Sequence, residues 1–275
     1  MKFNNLLIFS ILMIIVLSSE TSIANRRHFT YVYESAVLPK GAKEIELWNT
    51  VRINRKDFYR ALDNRTEFEF GLGGNLQTSL YLNLSIASQF NSGAIETEQY
   101  FGISNEWKYK LMDATADIFG LALYAEGSLK SDEIELEGKI ILDKQIDNFL
   151  IAFNAVGEHS FVTGINSTGL AETQPENILE FVGGAAYFLT PSFTIGIEAR
   201  HHTQKPPIFE GGGVYSAFFA GPSFSVSGSN WWSALSIMPQ IAGSEQNGVG
   251  IVNQDKLDLT KHEKLEARLL LSFDF

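Results

Sequence analysis

From Lys43 onward the chain alternates apolar and polar residues over long segments, and this period-2 pattern limits what it can become. Successive side chains of a strand point to opposite faces, so strict alternation describes a strand with one oily and one polar side. In "KEIELWNTVRINR", Ile45, Leu47, Val51 and Ile53 oppose Glu44, Glu46, Thr50 and Arg52. In "NLQTSLYLNLSIASQ", Leu76, Leu80, Leu82, Leu84 and Ile86 oppose Gln77, Ser79, Tyr81, Asn83 and Ser85. "DEIELEGKIILDK" repeats the arrangement, with Ile134, Leu136, Ile140 and Leu142 against Glu133, Glu135, Glu137 and Lys139. These segments run to about ten to fifteen residues, whereas strands of soluble proteins average five or six.

Turn signals divide the chain into about twelve strands, near 43–54, 63–72, 75–90, 95–111, 118–130, 132–144, 148–160, 176–189, 192–203, 213–226, 230–242 and 262–275. An even count of antiparallel strands is the habit of bacterial single-chain barrels. Every second connection is short: Gly73–Asn75, Met112–Asp117, Gln145–Asp147, Thr190–Ser192 and Ser227–Ser229. Those between are mostly longer and more polar, notably Phe161–Pro175, Thr203–Gly212 and Gly243–Lys261. Tight turns at one rim and long loops at the other mark an outer-membrane barrel. The expected fold is therefore all-β: a transmembrane antiparallel up-and-down β-barrel over residues 43–275. Aromatic residues gather near the short turns, and Trp107, Tyr109, Phe149, Tyr187, Phe193, Trp231 and Trp232 are expected to form a girdle at the membrane interface.

The start of the chain fits export. Lys2, the apolar run Leu6–Leu17 and the small residues Ser22 and Ala24 read as a cleaved signal peptide, residues 1–24. The run is too short for a membrane-spanning helix, which needs about 20 residues. Residues 25–42, with alternating Phe29, Tyr31 and Tyr33 before a Pro39-Lys40-Gly41 turn, are expected to lie beneath the periplasmic rim or within the lumen. The absence of cysteine excludes disulfides and thiolate sites, and a net charge of −11 without a basic cluster argues against nucleic acid.

The closing segment "KLEARLLLSFDF" alternates to its end. Leu269, Leu271, Phe273 and Phe275 resemble the β-signal of Gram-negative outer-membrane proteins, which implies the barrel-assembly machinery as a partner during biogenesis. More broadly, Phe29–Thr50, Ile195–Arg200 and Phe219–Ile241 resemble a family of bacterial outer-membrane barrels of unknown function. That resemblance implies fold and location, with outer-membrane lipid around the barrel, and no activity.

If the Leu, Ile and Phe positions face lipid, the opposite face lines the lumen. The lumen-facing charges are then Glu44, Glu46, Arg52, Glu67, Glu69, Glu98, Glu126, Glu135, Glu137, Lys139, Glu180, Glu198, Arg200 and Arg268, with Arg65, Glu158 and Glu266 among others. Acids outnumber bases. Carboxylates confined away from water need partners, and Arg52, Arg65, Arg200 and Arg268 are expected to pair with carboxylates on neighbouring strands. Unpaired acids would favour cations along an aqueous path. The expected function is a passive, porin-like channel for small solutes or cations, the alternative a non-conducting structural or surface-binding barrel. A lipid hydrolase fits worse. His159 and Ser160 are adjacent and so face opposite sides, while His201 and Thr203 share the lipid face with Ile197 and Ala199. No catalytic residue, cofactor or metal site is expected, since five histidines lack metal-ligand spacing.

Overall fold

The computed structural model describes residues 26–275 except 92, 211, 248–249 and 252–255. The signal-peptide reading of residues 1–24 lies outside the described residues. The strands are β1 (Lys43–Ile53), β2 (Tyr59–Gly73), β3 (Leu76–Asn91), β4 (Ala94–Met112), β5 (Gly120–Lys130), β6 (Glu133–Ile146), β7 (Phe149–Ile165), β8 (Ala171–Thr190), β9 (Phe193–Lys205), β10 (Val214–Ser227), β11 (Trp231–Asn247), β12 (Gly250–Ile251) and β13 (Leu265–Asp274). The two-residue β12 only folds back on the end of β11. The other twelve pair antiparallel in chain order, β11 with β13 and β13 with β1, so the sheet closes on itself. Trp48 of β1 faces Leu270 of β13 on one side and Arg65 of β2 on the other. Closure leaves no edge, which a barrel in hydrocarbon requires because lipid cannot satisfy free N–H and C=O groups.

Several strands run further than alternation of hydrophobic residues indicates. The stretch Phe161–Pro175 reads as a loop in sequence, yet β7 continues to Ile165 and β8 starts at Ala171. Thr163 and Thr173 meet across that hairpin at 2.8 Å, and Asn166 Oδ1 closes its tip by accepting from Thr168 N and Leu170 N. A hairpin standing in water needs no apolar face, so the usual signal is missing there. β11 likewise reaches Asn247 rather than stopping near residue 242. The ladder between β10 and β11 slips beside Phe218 and Phe219, and a Cβ on Gly221 would run into the Ile237 carbonyl. Pro222 and Pro239 flank this break, where missing amide donors interrupt a ladder with least consequence.

The outer surface is apolar. Leu80, Leu82, Leu84, Phe101, Ile103, Leu136, Ile140 and Ile151 are exposed around its circumference. On a soluble monomer a continuous apolar band of this extent would be an anomaly; around a barrel it is the lipid-facing belt.

Twelve strands enclose more space than eight, whose own side chains suffice to fill the interior. Residues 26–42 occupy part of that space. They enter at the rim of the short turns, where Arg26 donates to the Gly228 carbonyl and the His28 ring meets Phe188. They rise to Tyr31, whose hydroxyl donates to Glu266 at 2.7 Å, and descend past Tyr33, Ser35 and Leu38. Gly41 and Ala42 exchange main-chain hydrogen bonds with Gly71, returning the chain to its starting rim before β1 begins.

Candidate functional site

The segment 26–42 makes no continuous ladder with the wall; wall side chains bond its backbone instead. Glu198 on β9 accepts from Thr30 N and Tyr31 N, one oxygen each, both at 2.7 Å. Asn154 on β7 accepts from Tyr33 N at 2.6 Å and donates to Tyr33 O at 2.9 Å, imitating a strand neighbour. Asp143 accepts from Ser35 N, and Gln77 from Leu38 N. Each satisfies a main-chain group that would otherwise be orphaned away from water.

Two apolar clusters complete the plug. Phe29, Tyr31 and Val32 pack with Leu150, Ala152, Val182, Ala186, Ala217, Phe219 and Met238. Tyr33 packs with Trp48, Ala122, Tyr124, Ile141, Trp232, Ala234 and Leu270. The inward acids are unevenly spread: Glu44, Glu46, Glu67, Glu69 and Glu106 gather on β1, β2 and β4, while part of the wall facing the plug presents small or apolar residues. Small residues leave room for rings: a Cβ on Gly184 would lie 2.7 Å from the Phe29 ring. Alanine recurring at inward positions 122, 152, 186, 217 and 234 was the sequence signal for this surface.

Trp232 departs from the expected girdle. It is buried inside the barrel, its indole N–H donating to Glu44, because even-numbered residues of β11 face the lumen. Trp107, Tyr109, Phe149, Tyr187 and Phe193 are exposed on the outer surface near the short turns, and Trp231 is half-buried beside them. Phe273 and Phe275 are exposed at the same rim, with Leu271 half-buried and Lys43 Nζ 5.9 Å from the Phe275 ring centre.

Two of the four arginines, Arg65 and Arg200, reach partners beyond neighbouring strands. Arg52 pairs with Asp63 on adjacent β2 at 2.7 Å. Arg65 reaches Glu126 on β5 at 2.6 Å, and Arg200 crosses from β9 to Glu266 on β13 at 2.8 Å while also meeting Glu180 at 3.4 Å. The expected carboxylate partner of Arg268 is replaced: Arg268 donates to Thr50 Oγ1 at 2.8 Å and lies 3.8 Å over the Tyr31 ring. Curvature explains the reach of Arg65 and Arg200, since inward side chains converge and meet strands that are not adjacent in the sheet, whereas Thr50 is the direct cross-strand neighbour of Arg268.

The other inward charges fall into place around the plug. Lys139 bonds Glu137 at 2.8 Å and sits 4.0 Å over the Tyr33 ring, and Lys130 holds Glu133 and Glu135. Glu180 also bonds His202 at 2.9 Å. Glu98 is exposed at the outer mouth, accepting from Tyr100. Glu44, Glu46, Glu67, Glu69 and Glu106 form a buried group toward the plugged rim, with Arg27 of the plug 3.9 Å from Glu46 and 4.1 Å over the Tyr33 ring.

Beyond the plug the lumen opens. One cavity of about 680 Å³ is lined by Tyr59, Arg65, Asn83, Tyr100, Glu126, Lys130 and Glu133. A second of about 400 Å³ is lined by Arg200, His202, Gln204, His262, Glu263 and Arg268. Arg52, Arg55, Asp63 and Lys261 border both. Loop residues cap the second cavity: His262 bonds Asp258 at 2.7 Å, and Gln240 holds the carbonyls of Asp258 and Glu263. Burial pushes His262 down to about 4 despite that carboxylate.

The fold has solved relatives. An outer membrane channel from Pseudomonas putida F1 superposes with a TM-score of 0.62 at 10% identity, covering 90% of this chain and all of the channel. The translocator domain of the autotransporter NalP from Neisseria meningitidis gives 0.54 at 11% identity over 88% of this chain and 91% of its own. LpxR from Salmonella typhimurium gives 0.50 at 8% identity, covering 84% of this chain and all of LpxR. At such identities the likeness establishes the barrel alone. No curated protein matches the sequence. Residues 21–275 match the family of unknown function DUF6662. The chain belongs to that family, and its described residues give it a closed twelve-stranded barrel with an internal plug.

Proposed function

We propose that this protein is an outer-membrane channel for small polar solutes, held shut by its own N-terminal segment. The supporting observation is the path of residues 26–42, which enter and leave the lumen at one rim. A segment tethered this way can withdraw without unthreading, and without breaking any strand pairing of the barrel. Its seat is a set of discrete side-chain bonds, principally from Glu198, Asn154, Asp143 and Gln77. The outer cavities give a polar solute somewhere to rest before the constriction. Withdrawal also removes Arg27 from the acidic wall, so the opened path favours cations. The similar barrel from Pseudomonas putida F1 is itself a channel, which agrees with this reading.

An enzymatic reading has less support. His159 faces outward and bonds Asn177, while Ser160 is buried on the inner side. His201 lies 3.0 Å from Ser216 on the outer face, and His202 is committed to Glu180.

Planar-bilayer recording tests the channel. The full chain is expected to be almost silent, and a variant lacking residues 26–38 to carry a steady current that favours cations over anions. If the deletion variant shows heat-modifiable gel migration, and so a folded barrel, yet passes no current at any salt concentration, the channel reading fails. A non-conducting barrel binding ligands in its outer cavities then replaces it.

A further inference from the structure

Burying a carboxylate without a partner costs several kcal/mol, so buried acids ordinarily acquire donors. The group formed by Glu44, Glu46, Glu67, Glu69 and Glu106 follows that rule only by half. On four of them one oxygen is held by the wall: Glu44 by Trp232 and Ser272, Glu46 by Trp48 at 2.7 Å, Glu69 by Gln77 at 3.0 Å, and Glu106 by Tyr81. The second oxygens of Glu44, Glu46 and Glu69 have no hydrogen-bond partner and are sealed from solvent. Glu67, 1% exposed, has no partner on either oxygen. The carboxylates converge: Glu44, Glu46 and Glu69 each bring one oxygen within 4.8 Å of the others, and so do Glu67, Glu69 and Glu106.

We propose that this cluster binds a divalent cation of the size and hardness of calcium. Carboxylates held on one oxygen by fixed donors and free on the other are oriented as metal ligands are by their outer shell. An all-oxygen donor set selects a hard cation. Ca²⁺ accepts a cage made wholly of protein oxygens in flexible geometry, whereas Mg²⁺ keeps several of its own waters, so a buried all-carboxylate wall suits Ca²⁺ better. The charge balance favours it too. Arg27 approaches Glu46 and Lys108 is buried beside the group, so two cations face five carboxylates. A divalent ion offsets most of the remainder. The site belongs to the wall of β1 to β4 and does not depend on whether the plug ever withdraws.

The test uses the refolded full-length barrel, stripped with chelator and titrated with Tb³⁺ while exciting its tryptophans. Trp48 and Trp232 each donate to a cluster carboxylate and lie close enough to sensitise the ion. Saturable luminescence displaced by Ca²⁺ is expected, with Ca²⁺ measured by elemental analysis at about one per chain. Glu67→Gln and Glu69→Gln should each weaken binding by at least about tenfold, while the exposed-hairpin variant Glu172→Gln leaves it unchanged. Absence of saturable binding to the wild type would overturn the proposal and mean that the carboxylates share protons instead. Binding that survives both cluster substitutions would place the ion elsewhere and also overturn it.

Discussion

Replacing Glu198 by alanine should loosen the plug while leaving the barrel closed. Glu198 is fully buried, and its two oxygens accept from Thr30 N, Tyr31 N and Ser236 Oγ, each at 2.7 Å. Alanine leaves both main-chain N–H groups without an acceptor in a water-poor interior. Hydrogen bonds to a charged acceptor contribute about 1.5–3 kcal/mol each, so losing two costs roughly 3–6 kcal/mol. Part of this is recovered because the carboxylate no longer has to be desolvated, leaving a net cost of roughly 2–4 kcal/mol. At about 1.4 kcal/mol per tenfold, the equilibrium for undocking rises on the order of 30- to 700-fold. Amide hydrogen exchange read by mass spectrometry reports this directly. Peptides covering residues 29–38 should exchange faster by that factor, while peptides from β6 and β7 keep their protection. Unchanged protection at residues 29–38 would refute the assignment of Glu198 as an anchor. A uniform loss over the barrel strands would refute it equally, since Glu198 would then be supporting the wall.

His262 by itself should favour release of the loop over the second cavity as the pH falls. His262 ordinarily titrates at 6.5 and is pushed down to about 4 by burial. The undocked loop therefore takes up a proton that the docked loop excludes, and docking weakens as pH falls from 6.5 toward 4, by at most ~3 kcal/mol at about 1.36 kcal/mol per pH unit. Glu263, raised from 4.5 to about 8 by burial and by Glu266, acts in the opposite direction as pH falls from 8 to 4.5. The His262 contribution is thus the difference in protease sensitivity of residues 256–264 between wild type and His262→Gln, and equal pH profiles would exclude it. On the outer surface, Leu82→Lys should destabilise the barrel in phospholipid vesicles by about 2–4 kcal/mol, the cost of a lysine near the bilayer midplane. Denaturant titration against Leu82→Ala measures this, and a difference below about 0.5 kcal/mol would mean that Leu82 does not face hydrocarbon.

Alternation is a local property of an extended chain, and it was legible wherever hydrocarbon presses on one side of a strand. Ile45, Leu47, Leu80, Leu82 and Leu136 could be assigned outward, and Glu44, Glu67 and Arg200 inward, from spacing alone. Strand ends beyond the membrane were not legible, because Phe161–Ile165 and Ala171–Pro175 pair where no apolar face is demanded. Trp231 and Trp232 are adjacent and so cannot share a face; alternation with Ala234, Ser236 and Met238 puts Trp232 inside, where Glu44, 188 residues away, accepts from its indole.

The amino-acid sequence by itself determined that this chain is a barrel, roughly how many strands it has and which side of each meets lipid. Those properties depend on neighbours two residues apart. Tertiary structure alone decided what fills the barrel. Closure brings Tyr31 to Glu266 across 235 residues, Arg65 to Glu126 over intervening strands and five glutamates to one patch of wall. Convergence of inward side chains is a consequence of curvature, and no local pattern of residues records it.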